Sequence, residues 1–201
     1  MNNKEYLIQI LLKLRSIGIK SDKILGAIEK IPPHFYYNLF NSSKDVKKID
    51  IDEVLEIAKL LQLSLKDNYK NENILLSGFK SGWLLLLLTN FCKRIYGICH
   101  SMEHKKKLEE FFLNNNFKNI YLCYGENILS WRRVAPFDLI FIFEKNNFSI
   151  TDIISQLSIK GKGIIPSISA NNKISMIRID KANLKTNQNC NSDLLINSDL
   201  I

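Results

Sequence analysis

Between residues 74 and 88 a short apolar run, Ile74-Leu75-Leu76, meets the polar and glycine-bearing stretch from Ser77 to Gly82. Trp83 and five consecutive leucines follow at once. The first run has the length of a buried strand, and the second suits a buried helix entered through a tight turn. Strand, glycine turn and helix in that order open a nucleotide-binding α/β unit, in which glycines let the backbone turn sharply and approach a ligand. Gly78 and Gly82 are in place, but Lys80 stands between them, so the glycine fingerprint is incomplete. Gly82 is followed by Trp83, not by Lys and Ser/Thr, which excludes a Walker phosphate loop.

The segments on either side extend this unit into an α/β domain. Leu7, Ile10, Leu11, Leu14 and Ile17 recur at helical spacing up to Gly18, and Ile24, Leu25, Ile28 and Ile31 form a second helical face ended by Pro32-Pro33. Residues 33–37 are aromatic-rich, 41–50 read as a loop, and 52–63 return to helical period. Beyond the central unit, strands are expected at 94–99, 119–123, 137–143, 163–166 and 173–179, with helices at 102–115 and 150–157. Alternation of this kind implies right-handed crossovers and a doubly wound, mainly parallel sheet. The expected organisation is one domain over 1–180, helical over 1–63 and α/β over 70–180. A loose polar tail follows over 181–201, in which residues 194–196 are the one candidate for docking.

At 201 residues and 46% apolar composition the chain can bury one sizeable core. No run reaches the roughly 18 apolar residues of a membrane span, and the N-terminus lacks the layout of a signal peptide, so a cytoplasmic protein is expected. Cys92, Cys99, Cys123 and Cys190 form no CxxC pair, and most lie in apolar surroundings, which favours reduced thiols over disulfides or zinc. The net charge of +8 raises nucleic-acid binding as a function class. With 23 lysines to 5 arginines and only short basic runs, a solvated basic surface explains that charge better.

Several segments taken together resemble the protein-L-isoaspartate O-methyltransferase family of class I S-adenosylmethionine-dependent enzymes. These are Leu14-Arg15-Ser16-Ile17-Gly18-Ile19, residues 24–32, Ser81-Gly82-Trp83, Gly125-Glu126, Ala135-Pro136-Phe137-Asp138-Leu139-Ile140 and residues 161–166, in the family's order. The resemblance implies a Rossmann-like methyltransferase sheet with N-terminal helices. It also implies S-adenosylmethionine as cofactor and, as substrate, protein or peptide chains whose L-isoaspartyl α-carboxyl groups are methylated as the start of repair.

The same resemblance marks departures at the cofactor site. Family members carry an acid before the glycine loop and three alternating glycines, where this chain has Leu76, Gly78, Lys80 and Gly82. The acid that would accept from the ribose hydroxyls is replaced by Cys99, a weak acceptor, with Glu103 a distant substitute. The adenine-side acid is kept as Glu126. The family's substrate loop falls near Lys47, Lys48 and Ile49, with no hydroxyl in the segment, so no catalytic group is retained there. Losing two charge-assisted hydrogen bonds, each worth about 1.5 to 3 kcal/mol, is expected to push cofactor binding into the millimolar range or abolish it. A second reading is therefore a pseudoenzyme that kept the fold as an interaction module, and a third is the basic nucleic-acid-binding protein.

Other candidates have ordinary explanations. His100 and His104 stand four apart without a third metal ligand, so no metal site is expected. Trp131-Arg132-Arg133 could hold a nucleotide phosphate but reads better as a covering loop, and Tyr36-Tyr37 as packing.

Overall fold

The computed structural model describes residues 3–40, 51–65, 71–79, 81–144, 148–168, 174–184 and 195–196. They form two compact units, one of residues 1–69 with 81–91 and the other of 70–80 with 92–201.

The first unit is helical: α1 (Asn3–Ser16), α2 (Asp22–Lys30), α3 (Pro33–Phe40), α4 (Ile51–Ser64) and α5 (Gly82–Leu88). Ile10, Leu14, Ile24, Ile28, Val54, Ala58 and Leu61 are buried, as the helical spacing requires. The Gln62 side chain stitches the α1–α2 turn, accepting from Lys20 N at 2.7 Å and donating to Gly18 O at 3.0 Å. Helix α3 departs from expectation, since Pro32-Pro33 ends one helix and also starts the next. Proline fits the first helical position, where no N–H is needed. All seven residues of α5 are buried, as an all-apolar helix demands, and the Trp83 indole N–H finds Ile31 O at 2.8 Å.

The second unit is a seven-stranded sheet ordered β3-β2-β1-β4-β5-β6-β7. In chain order its elements are β1 (Asn71–Ser77), β2 (Cys92–Cys99), α6 (Met102–Asn114), β3 (Ile120–Tyr124), a 3-10 segment Ile128–Val134, β4 (Phe137–Ile142), α7 (Ile150–Gln156), β5 (Leu157–Ile168), β6 (Ile174–Asp180), α8 (Lys181–Leu184) and β7 (Leu195–Ile196). The first five strands are parallel, β6 pairs antiparallel with β5, and β7 antiparallel with β6. Strands wind outward both ways from β1, giving the doubly wound, mainly parallel sheet that alternation implied. Leu75, Ile98, Phe137, Ile140, Ile142, Ile153 and Ile165 pack in one core with Tyr96 among them. The Tyr96 ring lies 5.0 Å edge-on from Trp131 and 5.6 Å from Phe137. Among the described residues, no helix is long and apolar enough to cross a membrane.

Asp138 locks the amino-terminal edge of this sheet. Its Oδ2 accepts from Glu72 N at 2.7 Å and its Oδ1 from Ser158 Oγ at 2.9 Å, tying β4 to the first residues of β1 and β5. Asp138→Ala leaves both donors without that acceptor and is expected to cost about 1 to 3 kcal/mol of stability. Urea unfolding measures the loss, and an unchanged midpoint would show that water replaces the carboxylate at no cost.

Candidate functional site

In an open parallel sheet, the crevice for a ligand forms at the carboxyl ends of strands where the winding direction reverses. Here the chain passes from β1 to β2 on one side and later returns to β4 on the other, so the reversal lies between β1 and β4. Ser77 pairs with Ile98 of β2 and Ile142 of β4, which brings all three carboxyl ends level.

Each chain then leaves its strand with a distinctive residue. After β1 comes Gly78 at φ 73°, a left-handed conformation in which a side chain is strained. A Cβ there would also lie 2.8 Å from Glu144 N, because the backbone after β4 passes close by. After β2 comes His100, and after β4 Glu144. The half-buried Glu144 carboxylate gathers these ends, with Oε1 accepting from Ser77 Oγ at 2.5 Å and Oε2 lying 2.6 Å from His100 Nε2.

The candidate residues among those described sit in different surroundings. Leu76 is fully buried within β1. Cys99 is only 2% exposed, and burial, followed by the neighbouring Cys123, pushes its thiol up to about 12 despite Lys105 nearby. It is a neutral thiol at physiological pH, in no position to act as an anion. Glu126 is exposed in the loop after β3. Glu103 pairs with Lys107 along α6 at 2.7 Å, and the Lys107 hydrogen bond lowers its pKa. Gly82 begins α5 in the helical unit, where Ser81 Oγ takes the Trp83 N–H. Lys80, Lys47, Lys48 and Ile49 lie outside the described residues or, like the rest of 41–50, in segments not described.

The two histidines also part. Ser101 caps α6, so His100 precedes the helix and meets Glu144, while His104 sits inside it with its ring 6.3 Å from Phe79. Partial burial, then Lys107, lowers the His104 pKa. Among the described residues no three His, Cys, Asp or Glu side chains gather as a metal site. Trp131 is a packing residue whose indole N–H donates to Gly97 O at 3.1 Å.

Sequence reasoning missed Ser77 and Glu144. The available signal was positional, since Glu144 follows the apolar run of β4 as Gly78 follows that of β1.

The chain matches the sequence model of the protein-L-isoaspartate(D-aspartate) O-methyltransferase family over residues 2–195. It is 27% identical over 168 residues to the protein-L-isoaspartate O-methyltransferase of Christiangramia forsetii, covering 79% of this chain and 77% of that one. Against the Maricaulis maris protein of the same name it is 25% identical over 177 residues, covering 84% and 82%. A solved protein-L-isoaspartate O-methyltransferase superposes with a TM-score of 0.67 at 13% identity, covering 87% of this chain, which spans 60% of that one. A Plasmodium falciparum structure assigned to the same activity, in complex with S-adenosyl-L-homocysteine, gives 0.63 at 15% identity, covering 87% and 89%. At these identities the superpositions establish the shared fold.

Two measurements probe the site directly. Gly78→Ala meets both the left-handed backbone and Glu144, and is expected to lower stability by about 1 to 3 kcal/mol in thermal unfolding; wild-type stability would mean that the turn relaxes freely. The folded state holds the Cys99 proton up to about pH 12, whereas an unfolded thiol releases it near its ordinary value of 9.0, so this group's contribution to stability falls as pH rises between them. Native Cys99 is therefore expected to resist iodoacetamide at pH 8 and to react in urea, as read by peptide mass spectrometry; rapid native alkylation would contradict its buried, neutral state.

Proposed function

This chain belongs to the protein-L-isoaspartate(D-aspartate) O-methyltransferase family, and from that premise we propose that it methylates isoaspartyl carboxyl groups of damaged proteins with S-adenosylmethionine. The observation that carries this function is the left-handed Gly78 turn beside a half-buried carboxylate, Glu144, where the sheet's winding reverses. The residues present fit the cofactor's cationic amino-acid end, because Glu144 supplies an anion in a crevice where Leu76 and Cys99 supply none.

When bound, S-adenosylmethionine would supply a sulfonium-activated methyl group, whose bond to sulfur breaks as a substrate carboxylate oxygen bonds to the carbon, giving a methyl ester and S-adenosylhomocysteine. The carboxylate substrate is already a nucleophile, so the residues need position and orient more than they need exchange protons. Gly78 turns the backbone at the end of β1, and Glu126 stands at the end of β3 on the side assigned to adenine. The cytoplasm is the proposed compartment, which suits the free thiols of Cys99 and Cys123.

A second reading is favoured by one specific observation. The neutral, buried Cys99 cannot replace a ribose-binding acid, as a pseudoenzyme that has lost methyl transfer would also show. Incubation with methyl-labelled S-adenosylmethionine separates the two. The expected outcome is base-labile label on an isoaspartyl peptide and none on its aspartyl twin, with a raised KM for the cofactor. No label on either peptide at millimolar cofactor would leave the pseudoenzyme.

A further inference from the structure

Glu144 is the sole carboxylate among the described residues that end β1, β2 and β4 or directly follow them, namely Ser77, Gly78, Phe79, Cys99, His100, Ile142, Phe143 and Glu144. Among the described residues, its two oxygens are each engaged once, by Ser77 Oγ and by His100 Nε2. An ionised carboxylate offers about four lone-pair sites, so two remain for a ligand. The side chain keeps 24% of its surface exposed, enough to be reached, and the two donors come from different strands, so they fix its direction as well as satisfying it. The backbone around it is equally committed, since Phe143 N donates to Ser77 O at 3.0 Å and Gly78 leaves no room for a Cβ beside Glu144. A carboxylate held this firmly at a switch point is a preformed anion for a cationic group.

We propose that Glu144 is the anionic anchor of the crevice, binding the α-ammonium of S-adenosylmethionine in place of the acids missing at Leu76 and Cys99, with Ser77 and His100 as its positioning residues. This rests on the methyltransferase reading. Glu144 lies on the β1–β4 side of the crevice, beside the Gly78 turn, whereas the Cys99 position closes the β2 side. The ammonium is therefore the group assigned to it, and the ribose hydroxyls are not. A charge-assisted contact of this kind accounts for about a 10- to 100-fold change in affinity.

Calorimetry on the full chain tests the assignment with three probes: S-adenosylhomocysteine, its deaminated analogue, and adenosine. Glu144→Gln preserves shape and removes the charge, and is expected to weaken S-adenosylhomocysteine about 10- to 100-fold while leaving the deaminated analogue and adenosine within about twofold of wild type. Ser77→Ala and His100→Gln should weaken only S-adenosylhomocysteine, by less. Thermal unfolding checks that each variant is folded, and Glu144→Ala serves if the glutamine variant is not. Tighter binding of S-adenosylhomocysteine by the Glu144 variants overturns the anchor and shows that the side chain fills the crevice instead. Wild-type binding without a Glu144 effect overturns the anchor alone. Absence of wild-type binding overturns the cofactor reading together with it. Binding that depends on Glu144 without peptide methylation keeps the anchor and removes the activity.

Discussion

The parallel pairing of β1 with β2 on one side and β4 on the other is the constraint on which the rest of the sheet unit depends. β1 is central in the winding, and Ile74, Leu75 and Leu76 are fully buried. A slip of either pairing would carry the polar residues flanking the apolar runs into sites buried on both faces, so the register is strongly determined. That register also brings Ser77, Ile98 and Ile142 level. The residues just beyond them, Gly78, His100 and Glu144, can then meet although they are far apart in the chain.

The two edges of the sheet use polar side chains in different ways. At the amino-terminal edge, Asp138 accepts two hydrogen bonds and ties strands together, which is a structural use of a residue within the Ala-Pro-Phe-Asp segment. At the carboxyl edge, Glu144 is also held by two partners but keeps part of its surface open. The same chemical group is thus a clasp at one end and a candidate anchor at the other. Position relative to the strand direction decides between them, because the open crevice lies at the carboxyl ends.

Cys99 shows how burial changes the meaning of a substitution. As a sequence letter it is an acid replaced by a weak acceptor. In the fold it is a buried thiol held neutral chiefly by desolvation, next to Cys123 and on the same strand end as His100. The nearby Glu103, an acid in sequence terms, is spent on Lys107 along the surface of α6. The carboxylate that does stand at the carboxyl ends, Glu144, comes from another strand.

The sequence by itself determined the classes of element and their order, because the periods of apolar residues are local: Ile10 and Leu14 face inward at helical spacing, and the apolar runs of β1 and β4 are strands buried on both faces. It also carried the family, through segments whose residues are contiguous. It read Pro32-Pro33 as the end of α2 but not Pro33 as the start of α3, since a proline that stops one helix equally suits the first position of another. Only the tertiary structure decided which side chains share the crevice. His100 and His104 are four apart in sequence, yet the Ser101 cap divides them, while Ser77 and Glu144, 67 residues apart, are within hydrogen-bonding distance. The physical reason is that strand register and crossover direction are set by burying the whole sheet at once, and no short window of sequence contains that information.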